Sequence, residues 1–479
     1  MKKLTAVFLA AVSLLLCLTS CRSVTPSVVV GEKNTQSDDY VPLGPGVGRE
    51  MLKASYWIKD GYGEEIFTRE QIEAFNVDNG KLIGSKSSGS FTLQSIKDTI
   101  DGVTVREILD SITFPDDYDE LFINGAMVGG EYRENLKANI NRSAVPEKVN
   151  VKFAFSVARD TLRMFPTADY ANNEIDDLFY DSFTMSDLMP FTPLALLHES
   201  ADGLWYFAAS YVCCGWVAKE QVAVCPSRSD WLKRQSPEEF LVVTGGEIRL
   251  PTDPYCPQLS DMIVPMGTKL PIVSAKDAPD SIDRRYAYGC YVAKLPIRLS
   301  DGSISDAYSL IPCGFDVNVG YLPATRANII NQAFKLQGNI YGWAGDFYSN
   351  DCSGIIREIF LCFGMQFPRV GSQQMNVYDL PKKDISSYKD KQKLDYITSL
   401  PAGSLLYFSG HVMIYLGTDA EGEPYALSSV GSISTVDSEP DAVMQVNTVL
   451  VSSILRTARK TGASWLESIS SALEMKPEK

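Results

Sequence analysis

Histidine is nearly missing from this sequence of 479 residues, which has two, His198 and His411. So few exclude a His-rich metal site, and no metal or other cofactor is expected. Positive charge is also short: 44 Lys and Arg stand against 59 Asp and Glu, for a net charge of −15. Such a balance repels phosphate backbones, so nucleic acid is not an expected partner. After the first 21 residues no apolar run reaches the roughly twenty that a bilayer crossing needs. The ten cysteines lack zinc-ligand spacing. Apart from Cys17 and Cys21 they are Cys213, Cys214, Cys225, Cys256, Cys290, Cys313, Cys352 and Cys362, whose pairing stays open. The adjacent Cys213 and Cys214 are expected to be core residues.

What is present begins with MKKLTAVFLAAVSLLLCLTSC. A basic start, an apolar run too short for a permanent span and small residues before a cysteine are the marks of an export signal. Its ending, Leu18-Thr19-Ser20-Cys21, resembles the bacterial lipobox. That resemblance implies cleavage after residue 20, diacylation of Cys21 and a tether to a membrane through lipid. The other reading is an ordinary secretory signal with an incidental cysteine. Arg22, in place of an aspartate, directs the expectation to the outer membrane of a diderm bacterium, facing the periplasm or the cell surface.

At roughly 100 to 200 residues per domain, the length predicts three or four domains. Residues 22–48, rich in Ser, Gly, Pro and charge, read as a flexible tether. Residues 49–148 read as a mostly helical segment: in TVREILDSI apolar residues recur at three and four. From 149 to 237 short alternating runs are separated by turn residues, and Ala201-Asp202-Gly203, Trp205-Tyr206 and Gly215-Trp216-Val217 resemble bacterial SH3-like β-barrels. Residues 238–325 repeat the style, which predicts a second barrel. His198, in a barrel strand, is expected to be an ordinary structural residue. From 326 to 479 helical patterns precede strands, the layout of a papain-like α+β domain.

That last region carries the chemistry. In NDCSGIIREIF, Cys352 falls where a helix begins, with Asp351 as its cap and an apolar stripe of Ile355, Ile356, Ile359 and Phe363. A helix N-terminus stabilises a thiolate, so Cys352 is expected to be a nucleophile with its sulfur deprotonated. Downstream, Ser409-Gly410 makes a turn and His411 opens the strand HVMIYLG, with Val412, Ile414 and Leu416 on the opposite face. The imidazole is then free to exchange a proton with a thiol, as Cys-His catalysis requires.

Asp351-Cys352-Ser353-Gly354, Gly410-His411-Val412 and the rest of that strand, Tyr341-Gly342-Trp343 upstream and Arg369-Val370-Gly371-Ser372-Gln373-Gln374 between them resemble the NlpC-type cysteine peptidases of bacterial cell walls. The branch with two SH3-like barrels and a helical N-terminal segment, the γ-D-glutamyl-L-diamino acid endopeptidases also called dipeptidyl-peptidase VI, is the closer likeness. A monomer is expected, and the resemblance implies hydrolysis of the bond between γ-D-glutamate and diaminopimelate or lysine, in peptidoglycan stem peptides with a free L-alanine amine. It implies Cys352 as nucleophile and His411 as proton shuttle. Tyr341, Trp343, Asp351, Ser353 and Ser372 would line the substrate pocket, with Asp351 available to the substrate ammonium and the first barrel closing one end of the groove.

One position departs from that pattern. The residue that orients the histidine ring is often a second histidine in these peptidases; here the strand GEPYALSSVG offers Ser428, or Ser429 if the register slips by one. A serine is the weaker orienter. Two other functions therefore stand beside the peptidase: a lipoprotein that binds muropeptides with little turnover, and a papain-like amidase or acyltransferase acting on another acyl-amine bond.

Overall fold

The computed structural model describes residues 37–38, 40–80, 93–112, 120–175, 177–437, 439 and 442–477. The export signal and Cys21 lie outside them. Among the described residues no helix is long and apolar enough to cross a membrane. The chain divides into two units, residues 1–42 and 43–479. In the first, Ser37–Asp38 pairs with Val41–Pro42.

The segment read as one helical region serves two different cores. Helix α1 (Arg69–Asn79), capped by Thr68, sends Ile72 and Phe75 into the core of the C-terminal domain, where Val47, Met51, Trp57 and Phe67 join them. Helix α2 (Gly102–Ser111) turns Val105, Ile108 and Leu109 instead onto Phe153, Phe207 and Trp216 of the sheet that follows. Helix α3 (Gly130–Asn139) buries Leu136 beside Phe165 and Phe183 in a smaller cluster.

That sheet has seven antiparallel strands: β1 (Lys152–Ser156), β2 (Asp160–Arg163), β3 (Thr184–Leu188), β4 (Pro193–Glu199), β5 (Trp205–Ala209), β6 (Cys214–Ala218) and β7 (Val222–Val224). Their order is β3-β2-β6-β5-β4-β1-β7. Trp216, 1% exposed, fills its centre, and His198 lies against it with Nε2 3.0 Å from the Asn141 carbonyl, a structural contact. Helix α4 (Arg228–Gln235) closes the bottom with Trp231, whose Nε1 donates to the Ala154 carbonyl. A second antiparallel sheet follows, built from β8 (Phe240–Val243), β9 (Lys269–Val273), β10 (Cys290–Arg298), β11 (Ile304–Pro312) and β12 (Val317–Val319) in the order β11-β10-β9-β8-β12.

The C-terminal domain is α+β. Helices α5 (Arg326–Lys335) and α6 (Cys352–Leu361) pack on an antiparallel sheet whose main path is β13 (Lys382–Asp384), β19 (Ser471–Leu473), β14 (Leu405–Phe408), β15 (His411–Thr418), β16 (Pro424–Thr435) and β17 (Met444–Ser453). The short β18 (Thr457–Ala458) pairs with the end of β16, and α7 (Asp390–Ser399) covers the other face. Ile355, Ile356, Ile359 and Phe363 point into the same core as Val412, Ile414 and Leu416. Residues 353–360 of α6 are all buried, Arg357 and Glu358 included. A helix with one apolar stripe would leave its polar side in water. Here the first sheet domain covers that side, with Arg357 Nη1 2.9 Å from Asp187 Oδ1 on β3.

All eight cysteines among the described residues are free thiols. Cys214 belongs to the core around Trp216, and Cys213 packs on the neighbouring cluster.

Candidate active site

Asp351 caps α6 with extended backbone, and its Oδ1 accepts from the N–H groups of Ser353 at 3.0 Å and Gly354 at 2.8 Å. The cap puts Cys352 in the first turn, with its side chain partly exposed. Arg369 grips the same carboxylate with two nitrogens, Nη1 to Oδ1 at 2.9 Å and Nη2 to Oδ2 at 2.6 Å. Oδ2 also accepts from Ala344 N at 3.2 Å, and the Ser353 hydroxyl lies 3.0 Å from both Oδ1 and Arg369 Nη1. Both oxygens are therefore occupied and the charge is matched. The ammonium role anticipated for Asp351 does not fit this environment, and Ser353 is likewise tied inside it.

The β14–β15 hairpin pairs Phe408 with His411 across Ser409-Gly410, and Gly410 takes the positive φ, 85°, that so short a turn demands. The Val412 N–H, next to the imidazole, reaches the Cys352 sulfur. His411 Nε2 lies 3.0 Å from Ser428 Oγ on β16. Ser429, one residue on and therefore facing the other way, donates to the Asn350 carbonyl at 2.8 Å. Ser428 is thus the serine at the ring, and Ser429 fastens the loop that precedes the thiol. Phe408 and Trp465 flank the imidazole at 5.1 and 5.6 Å between centroids. Tyr407, opposite Val412, is 3% exposed, and its hydroxyl has no hydrogen-bond partner among the described residues.

Burial pushes the Cys352 thiol up to about 12, with the Asp351 charge adding to it. The Val412 N–H, Arg369 and the Ser353 N–H of the first helical turn pull the other way and are outweighed. Burial also brings His411 down to about 4, helped by the Arg459 guanidinium. Desolvation thus opposes the charged form of both groups, the thiolate as well as the imidazolium, and works against the pull of the helix N-terminus on which the expectation of a thiolate rests.

The groove wall comes from residues 341–348. Tyr341 is buried, with its backbone N–H donating to the Asn447 carbonyl at 2.8 Å, and Trp343 is exposed at the rim. Ala344, Phe347 and Tyr348 all have φ between 50° and 58°, a cluster of left-handed non-glycine residues such as functional loops hold under strain. Gly345, at φ 110°, sits so close to the first sheet domain that a Cβ there would lie 2.4 Å from Asp187 Cβ. From the same domain Tyr180 places its ring 5.8 Å from Tyr341 and 5.5 Å from Trp343. Its hydroxyl points at Gly431 of β16, where any Cβ would be 2.2 Å away. Asp346 accepts from the Asp181 N–H at 3.4 Å and from the Thr184 hydroxyl at 3.3 Å. Ser372 is exposed on a short helix, Gly371–Gln374, beside Val412.

The structure thus brings Cys352, His411 and Ser428 to one place, with Asp351, Ser353, Tyr341 and Trp343 around them. Sequence reasoning missed Arg369, although it stands in the quoted run with Ser372, and it missed Tyr180 and Asp187. A lone Tyr in a loop, or a lone Asp within a strand, carries no local signal.

Residues 338–440 match the NlpC/P60 family model, and residues 168–218 match an SH3 domain of the SH3b1 type. The chain carries an NlpC/P60 domain behind an SH3-type domain. Among solved structures, one described as a novel NlpC/P60 endopeptidase from Photobacterium damselae subsp. piscicida is similar over 92% of this chain and 99% of that one, with a TM-score of 0.69 and 16% identity. An NlpC/P60 family protein from Bacillus cereus aligns over 68% of this chain and 100% of its own, at 16% identity and a TM-score of 0.45. The first of these, at so low an identity, speaks for a shared fold and for nothing more. No curated protein matches the sequence.

Proposed function

We propose that this protein is a cell-wall cysteine endopeptidase, tethered by lipid at Cys21, that hydrolyses the γ-D-glutamyl bond to diaminopimelate or lysine in peptidoglycan stem peptides bearing a free L-alanine amine. The observation that carries the chemistry is the meeting of three elements: the sulfur at the start of α6, the ring at the start of β15 and the hydroxyl 3.0 Å from its Nε2. The choice of bond rests on the resemblance of the motifs and on the SH3-type domain at the groove, where Tyr180 stands over Tyr341 and Trp343. A roof there favours short, already trimmed peptides.

With Nε2–H donating to Ser428, Nδ1 is the basic nitrogen left for the thiol. It takes the sulfur's proton as the sulfur adds to the γ-carbonyl. The tetrahedral adduct collapses, the C–N bond breaks, and the imidazolium returns its proton to the departing amine. Water, deprotonated by the same ring, then cleaves the thioester and frees the γ-carboxylate. A neutral pair at rest suits this sequence, because charge separates only when the carbonyl is in place to consume the thiolate. Asp351 serves as the cap that aims Cys352, and the tyrosine and tryptophan of the wall hold the peptide.

The test is incubation of L-Ala-γ-D-Glu-diaminopimelate with the protein and with Cys352→Ala, read by mass spectrometry. Release of L-Ala-D-Glu by the parent alone supports the reading. No product from either leaves a muropeptide-binding lipoprotein, and cleavage confined to N-acylated analogues makes the protein an amidase of another kind.

A further inference from the structure

The SH3-type domain reaches the thiol by a second route, through charge. Asp187 on β3, 3% exposed, faces two guanidinium groups of the NlpC/P60 domain. Arg357 Nη1 lies 2.9 Å and Arg369 Nε 3.4 Å from its Oδ1. Arg369 in turn holds Asp351 at 2.6 Å, and Asp351 caps the turn that carries Cys352. Arg159 and Glu358, an ion pair at 3.7 Å, complete the buried group: three guanidinium and three carboxyl groups, none with more than 11% of its side chain exposed. Arg357 also donates to the Tyr211 hydroxyl at 2.8 Å, which fixes the side chain that Asp187 meets. The backbone of Asp187 is the floor on which Gly345 and the strained wall loop rest.

We propose that Asp187 is a positioning residue for the Cys352 thiol, acting across the domain boundary through Arg369 and Asp351. Two effects follow from its place. As a brace, it fixes Arg369 from behind, so that the bidentate grip on Asp351, and with it the direction of the first turn of α6, is set by the SH3-type domain. As a charge, it offsets part of the field that the arginines exert at the sulfur; in an interior with little water such a field is felt over several ångströms. The turnover half of the proposal rests on the peptidase reading, and the thiol half does not.

The test uses the full chain and two substitutions of opposite electrical sign, Asp187→Asn and Arg357→Gln. Iodoacetamide modification of Cys352 at pH 8, followed by mass spectrometry of the peptide that contains it, reports the thiolate population. Asp187→Asn leaves the arginines less compensated and raises the rate roughly threefold, while Arg357→Gln frees Asp187 to offset Arg369 and lowers it by a similar factor. Damage to packing alone moves both rates in one direction, and both chains react alike in denaturant. On the tripeptide, Asp187→Asn lowers kcat about tenfold with KM little changed, and Asp187→Glu recovers most of it. A folded Asp187→Asn chain that alkylates at the parent's rate overturns the proposal. If that variant does not fold, Arg357→Gln alkylating at or above the parent's rate overturns it. A parent that leaves the tripeptide intact refutes the peptidase reading while the alkylation arm still decides this one.

Discussion

His411 Nε2 and Ser428 Oγ are 3.0 Å apart, and that contact fixes which ring nitrogen is left to meet the thiol. Ser428→Ala removes the one side-chain hydrogen bond that the ring makes among the described residues. Turnover of the tripeptide is expected to fall about tenfold, less than the loss seen when a buried carboxylate orienter is removed, with KM nearly constant. Steady-state kinetics check this.

The pH profile follows from the two neutral groups. His411 is a base only when unprotonated, and its value is held down to about 4 by burial and then by Arg459. The thiol, raised to about 12, stays protonated through the working range. kcat/KM is therefore expected to be level between pH 6 and 8 and to fall as the pH drops toward about 4, where imidazolium forms. A fall centred near pH 6.5, the ordinary histidine value, contradicts it.

Asp346 gives a stability prediction of the opposite sense. Burial, then the Asp181 charge, raises its carboxyl from 3.8 to about 7. The folded state thus prefers the protonated acid. That contribution is complete below the unfolded value near 3.8 and is lost as the pH rises through about 7. Asp346→Asn, neutral at every pH, is expected to stabilise the fold by about 2 kcal/mol at pH 8 and not at all at pH 4. Thermal unfolding at the two pH values measures it.

Gly345→Ala puts a methyl carbon 2.4 Å from Asp187 Cβ at a φ of 110°. The strain and the displaced neighbour together are expected to cost about 2 to 4 kcal/mol. Denaturant titration reads the loss, and tripeptide turnover falls with it because the wall loop moves off its support.

Lipid tethering predicts a clean cell fractionation result. The parent is expected with the membranes and Cys21→Ser in the soluble fraction, with the tripeptidase activity following the protein in both.

Much of this site was legible in the sequence because its parts are local. A cap, a thiol and an apolar stripe lie within a dozen residues around Cys352, and a turn followed by alternation announced His411. Ser428 was legible as one of two neighbours; the pairing of Ile414 with Leu427 and Tyr415 with Ala426 decides between them. What stayed hidden is long-range. Asp351 reads as an acidic pocket wall until Arg369, 18 residues on, is found gripping it. The desolvation that opposes ionisation of the Cys352 thiol is equally hidden, since a motif reveals the helix N-terminus and not the surroundings of the sulfur. Likewise, the apolar residues of α1 and α2 have the same periodicity, and nothing local says that one helix faces Ile355 and the other Trp216.

Helix α6 has consequences for anyone wishing to excise the NlpC/P60 domain. A fragment starting at residue 326 would lose Val47, Met51, Trp57, Phe67, Ile72 and Phe75 from its interior, and would bare Arg357 and Glu358 to solvent without their counterions. The C-terminal domain is then not an interchangeable part: the chain entering it and the neighbour beside it are components of its foundation, and a minimal version must keep both.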